Sequence, residues 1–191
     1  MMADHRVVIE GTYPTGTAIP TSSYPAVNPI FTGGYVFSQE DIPGVAAANN
    51  YLALTNPVGS GKTILVAGVF ISSFILADIA TTSVSMRGYL ATSVSGGTLH
   101  SAASIGKVRS TMPNSVGEIR DTNPSATLGA PWFNSPPVIG ASKGSSPFVH
   151  QIPATIPAGS ITLLPGESTV IRQEAGDVDA RWNISIAWSE F

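Results

Sequence analysis

The sequence predicts an all-β fold, an antiparallel two-sheet sandwich of the jelly-roll type with an extended N-terminal arm. Three observations predict it. Fifteen prolines and nineteen glycines are spread along all 191 residues, which leaves little room for an uninterrupted amphipathic helix. At the C-terminal end Trp182, Ile184, Ile186 and Trp188 alternate with Arg181, Asn183, Ser185, Ala187 and Ser189, the period of two of a strand with one buried face. Between these extremes short apolar runs follow one another across Gly/Pro turns, a pattern that favours a sandwich or barrel over an α/β fold.

Taken in order, residues 1–45 read as an extended arm. Tyr13-Pro14, Ile19-Pro20, Tyr24-Pro25 and Asn28-Pro29 each hold the residue before proline in an extended or turn conformation. The alternative is a long first loop with an edge strand at Arg6–Glu10. The sandwich domain then occupies 46–191. Tyr51–Thr55, the turn Asn56–Gly61 and Lys62–Ser72 suggest strand, turn and strand, with β-branched residues concentrated in the second strand. Ile64–Ala77 is the longest apolar run, short of the ~20 residues a membrane-spanning helix needs, so it reads as one long strand or a buried strand pair. In Thr81–Thr92, Val84, Met86 and Gly88 share one parity and Ser83, Ser85, Arg87 and Tyr89 the other, a half-exposed strand. Ser93–His150 is rich in Ser, Gly, Asn and Pro, predicting long loops around short strands such as Val116–Thr122. Pro165-Gly166, between Ile161–Leu164 and Ser168–Gln173, suggests a hairpin, because proline presets φ and glycine accepts a positive one.

Charged residues make up 11% of the chain, against about 25% in an ordinary soluble protein. So little charge protects poorly against association, which points to a surface covered by other subunits. A net charge of −3 with nine scattered basic residues argues against nucleic-acid binding. Without cysteine there is no disulfide framework and no thiolate metal site. The opening MMADHRVVIEG lacks a basic stretch followed by an apolar core, so no secretory signal is expected.

The motifs that suggest chemistry are weak. Asn56–Thr63, NPVGSGKT, approaches the phosphate-binding pattern GxxxxGK[ST], but asparagine replaces the first glycine and a strand-like run follows Lys62-Thr63 where a helix N-terminus is required. His5, His100 and His150 are far apart, and no GxSxG elbow is present. Glu118 and Asp121, and Asp177 and Asp179, read as turn acids that satisfy local backbone amides, and the sequon Asn183-Ile184-Ser185 falls inside a strand. No catalytic, cofactor-binding or metal-ligating residue is expected. Apolar side chains in the arm, Tyr13, Tyr24, Phe31 and Tyr35, and the pair Trp132-Phe133, placed in a loop between Pro131 and Pro136-Pro137, are the candidate interface residues.

The strand before NPVGSGKTILVAGV and the terminal LLPGESTVIRQEAGDVDARWNISIAWSEF, with Pro165, Gly166, Glu167 and the closing Trp188 and Glu190, resemble small β-sandwich structural proteins of tailed-bacteriophage virions. The resemblance covers under half of the chain. It implies a capsid decoration, or cement, protein: a jelly roll, typically a homotrimer, that sits on the outside of the head and clamps adjacent major capsid protein subunits, with the arm reaching onto a neighbour. It implies no catalysis, no small-molecule substrate, no cofactor and no nucleic-acid or membrane partner, and synthesis in the host cytoplasm. A head-fibre, baseplate or tail receptor-binding module, touching a host surface through the 93–150 loops, is the alternative.

Overall fold

The computed structural model describes residues 34–78, 83–135, 138–146, 149–153 and 161–191. The strands are β1 (Gly34–Pro43), β2 (Asn49–Thr55), β3 (Ile64–Ile75), β4 (Ser83–Ser95), β5 (Thr98–Leu99), β6 (Gly106–Lys107), β7 (Glu118–Asp121), β8 (Ser125–Asn134), β9 (Val138–Ile139), β10 (Val149–Pro153), β11 (Thr162–Leu163), β12 (Ser168–Ala175) and β13 (Ala180–Glu190). One sheet has the order β10-β3-β13-β1-β6, with β11 also on β3; the other has the order β5-β7-β2-β12-β4-β8, with β9 also on β4. Every pairing is antiparallel.

The long strands explain the architecture. Counted along the chain as β1, β2, β3, β4, β8, β10, β12 and β13, the first pairs with the eighth, the second with the seventh, the third with the sixth and the fourth with the fifth. This is one long hairpin rolled up so that successive pairs fall alternately in the two sheets, the jelly-roll arrangement. The predicted fold class stands.

The rolling corrects two local expectations. β2 and β3 are not a hairpin: β2 lies in one sheet and β3 in the other, and the Asn56–Gly61 turn carries the chain across. β11 and β12 likewise belong to opposite sheets. Pro165-Gly166 does turn the chain, with Gly166 at φ 94° and Glu167 N donating to Leu164 O at 2.9 Å, but it is a corner between layers. Consecutive strands on one arm of a rolled hairpin must change sheets, and turn chemistry alone does not encode that.

Asn56 fastens the two corners together. Its side chain is fully buried, and its Nδ2 donates to the carbonyls of Lys62 and Leu163, each at 2.8 Å, while Oδ1 accepts from the Ser60 hydroxyl at 2.7 Å. Its backbone accepts from Gly166 N and donates to Glu167 O. The residue that spoils the phosphate-loop pattern is therefore a structural pin, and Ile64, two residues after Lys62, starts a strand.

The core fills the space between the sheets. Phe37, Ile71, Ile75, Trp182, Ile184, Ile186 and Trp188 enter it from one sheet, and Leu52, Leu54, Met86, Ile119 and Ile171 from the other. At about 25 cal/mol per Å² of apolar area, side chains of this size supply most of the driving force for folding. Gln173 crosses this core as a polar tie: its Oε1 accepts from the Tyr51 hydroxyl at 2.7 Å and from Trp182 Nε1 at 3.1 Å, and its Nε2 donates to the carbonyls of Val45 and Ala47. A buried amide with all its groups engaged fixes how the layers align, its hydrogen bonds offsetting the cost of desolvation. Burial pushes the Tyr51 phenol up to about 12.

Candidate docking surfaces

The sequence-derived interface residues separate into three groups. Tyr13, Tyr24 and Phe31 lie outside the described residues. Tyr35 belongs to the core: it sits in β1, so residues 34–43 of the segment read as an arm are a strand of the sandwich, and its ring stacks on Trp188 at 5.9 Å. Its hydroxyl donates to Pro113 O, and burial, reinforced by the Glu190 carboxylate, raises its pKa. Tyr35 and Phe37 share one parity and Val36 and Ser38 the other, so the strand signal begins at the Gly33-Gly34 pair.

Trp132 and Phe133 lie in β8, not in a loop, and both pack partly against the core. Two consecutive residues contact the same side because the β4–β8 ladder shifts register beside them, between Gly88 and Tyr89. Trp132 Nε1 donates to Thr169 Oγ1 at 2.8 Å, and its ring lies over Gly88, where an added Cβ would come within 2.6 Å of it. The indole closes the sandwich at its β8 edge and is no exposed anchor.

Of the acidic and histidine candidates, Asp177, His100 and Asp121 take structural roles, while His5 and the His150 side chain lie outside what the structure describes. Asp177 Oδ1 accepts from Asp179 N at 2.9 Å, the local turn bond its sequence position suggests. His100 and Asp121, distant in sequence, meet at 2.7 Å with the imidazole against Phe37, and Asp121 also accepts from the Thr122 hydroxyl. Among the described residues no three His, Cys, Asp or Glu side chains are grouped to hold a metal ion. Glu190, from the closing Trp-x-Glu, accepts from Val116 N, Gly117 N, the Ser115 hydroxyl and Trp188 Nε1, and so ties the 115–117 loop to the end of β13.

Several exposed apolar groups lie together at one end of the sandwich, while Val178 is exposed at the other. Val58, in the β2–β3 corner, is 87% exposed; Leu164, in the β11–β12 corner, is 53% exposed; the terminal Phe191 is 50% exposed. Their backbones are joined. The two corners meet through Asn56, a Cβ on Gly166 would touch Val58 at 3.3 Å, and Thr63 and Phe191 exchange two backbone hydrogen bonds. Val108, also exposed, donates its N–H to Gly34 O, so β1 begins at this same end. Turn positions are where chain normally presents Gly, Asn, Asp or Ser to water, and here the hydrogen-bonded double corner holds apolar side chains in that place. The signal in the sequence is small: Val58 inside NPVGSG and Leu164 directly before Pro165-Gly166. Compared with protein-family models, with curated proteins and with solved structures, the chain matches none of them.

Proposed function

We propose that this chain is a structural virion protein that decorates and stabilises a tailed-phage capsid by docking between major capsid protein subunits. The observation that carries the reading is the apolar end formed by Val58, Leu164, Phe191 and Val108 on a domain with very few charges. Two closed corners, pinned by Asn56, hold that end rigid, so little ordering entropy opposes binding. The jelly roll and the likeness of its Pro-Gly-Glu corner and Trp-x-Glu terminus to virion β-sandwich proteins support the same reading. In it the chain works as a clamp and performs no chemistry: each copy adds a modest contact, and repetition over a shell multiplies it.

The test is to heat or osmotically shock DNA-filled heads with and without the purified protein. Decorated heads are expected to survive better, and the double variant Val58→Glu, Leu164→Glu is expected to lose both binding and protection while keeping its β-sheet circular dichroism. Equal survival of bare and protein-treated heads would overturn the proposal.

A further inference from the structure

We propose that the outward face of the β10-β3-β13-β1-β6 sheet is a contact surface for a second copy of this chain, related by a two-fold axis. The case starts from β3. Its sequence, ILVAGVFISSFI, contains no charged residue and is apolar on both parities, the pattern of a strand covered on both sides. Its inner residues Ile71 and Ile75 are in the core, yet Phe70 and Phe74, pointing the other way, remain 40% and 44% exposed. A face that composition marks for burial is open in the single chain.

The register shows what surrounds those rings. Phe70 lies opposite Ser185, Phe74 opposite Arg181, and Val36 opposite Ala187. The polar groups between them are already spent on one another: the hydroxyls of Ser185 and Ser38 are 2.9 Å apart, and Asn183 Nδ2 donates to Ser72 Oγ. Burying this face therefore strips little unsatisfied hydrogen-bonding capacity, and the apolar gain is not cancelled. Charge gathers toward one end, where Glu40 is exposed on β1 and Arg181 pairs with Asp41 at 3.4 Å, as in the polar rim of an interface.

A second copy is the occupant this relief favours. A face without charge along its middle gives a foreign surface no electrostatic pattern to read, whereas an antiparallel two-fold superposition sets the charged end of each copy over the uncharged end of the other, which suits an isologous contact. Two such faces pack at about 10 Å like the sheets of a sandwich. Three long strands, β3, β13 and β1, with the short β10 and β6 at the edges, give about 600 Å² per copy at about 4.8 Å between strands and about 3.3 Å per residue, at the lower end of specific interfaces. Affinity of about micromolar strength is expected, sufficient where copies are concentrated on a surface. The inference deepens the assembly reading above by naming a partner, and it stands on a different face from the proposed capsid contact.

Sedimentation velocity of the full chain from about 1 to about 100 μM tests it. The expected result is a monomer–dimer equilibrium that Phe70→Asp weakens at least about tenfold, with unchanged far-ultraviolet circular dichroism. Ser185→Lys, at a more exposed-tolerant position, is expected to do the same and serves if Phe70→Asp fails to fold. A chain that stays monomeric, forms a trimer, keeps its dimer in both variants, or dimerises only after residues 1–33 are removed overturns the proposal. A dimer that fails to protect heads sinks the capsid reading and leaves this contact standing; a monomer that protects heads does the reverse.

Discussion

The two faces of β13 show how differently one strand can be used. Trp182, Ile184, Ile186 and Trp188 point inward and are almost wholly buried, two of them stacked or tilted against the tyrosines Tyr35 and Tyr51. Arg181, Asn183, Ser185 and Ala187 point outward, and two of their neighbours on β3, Phe74 opposite Arg181 and Phe70 opposite Ser185, stay part-exposed. The inner face is completed by its own chain; the outer face, away from the Glu40, Asp41 and Arg181 end, has uncharged, hydrogen-bonded side chains and no complement among the described residues. What the difference teaches is that alternation defines a buried face, whereas loss of alternation, as in β3, marks a second face that remains to be covered.

Substitutions can break this contrast, and the largest effect belongs inside. Trp182→Ala removes an indole from the middle of the core and leaves Gln173 Oε1 short of a donor, so a loss of about 3–5 kcal/mol is expected in urea unfolding. Asn56→Ala tests whether the corners hold the layers in register: the buried Leu163 carbonyl and the part-buried Lys62 carbonyl lose their donor, and a loss of about 2–3 kcal/mol is expected.

Much of this was legible in the sequence, and the failures have physical causes. The final strand, the half-exposed β4 and the Pro165-Gly166 turn follow from period-two patterning and turn stereochemistry, both local properties. Which sheet a strand joins is not local. β2 and β3 look like a hairpin because the Asn56–Gly61 turn lies between them, but the pairing of β1 with β13 and β2 with β12 spans more than a hundred residues and decides the matter. Trp132-Phe133 reads as a loop between prolines for the same reason, since the irregular strand that holds the pair exists only in relation to β4. The buried roles of Asn56, Gln173 and Glu190 carry no periodic signal at all. Of the candidate surface, the apolar parity of β3 was visible, but its outward exposure was not, because an uninterrupted apolar run does not say which neighbours are missing.

Smaller effects sharpen the comparison. Tyr51→Phe is expected to cost about 1 kcal/mol at neutral pH by removing the hydrogen bond to Gln173. It also tests a titration. With its phenol raised from the usual 10 to about 12 by burial, Tyr51 favours the folded state fully below pH 10, and that contribution is lost as pH rises from 10 toward 12. Denaturant midpoints should fall across that window in the wild type and fall less in Tyr51→Phe. Smallest of all, Ser185→Lys is expected to change the stability of the isolated chain by no more than about 0.5 kcal/mol, because it touches only the outer face. A large loss there would mean that the outer face is already packed in the single chain.

Hydroxyl-radical footprinting, compared between dilute and concentrated protein, tests the contrast most directly. The account expects Trp182 and Trp188 to resist labelling throughout, and Phe70 and Phe74 to be labelled in dilute solution and protected on association. Equal labelling of both phenylalanines at all concentrations, or their protection in the dilute chain, would contradict it.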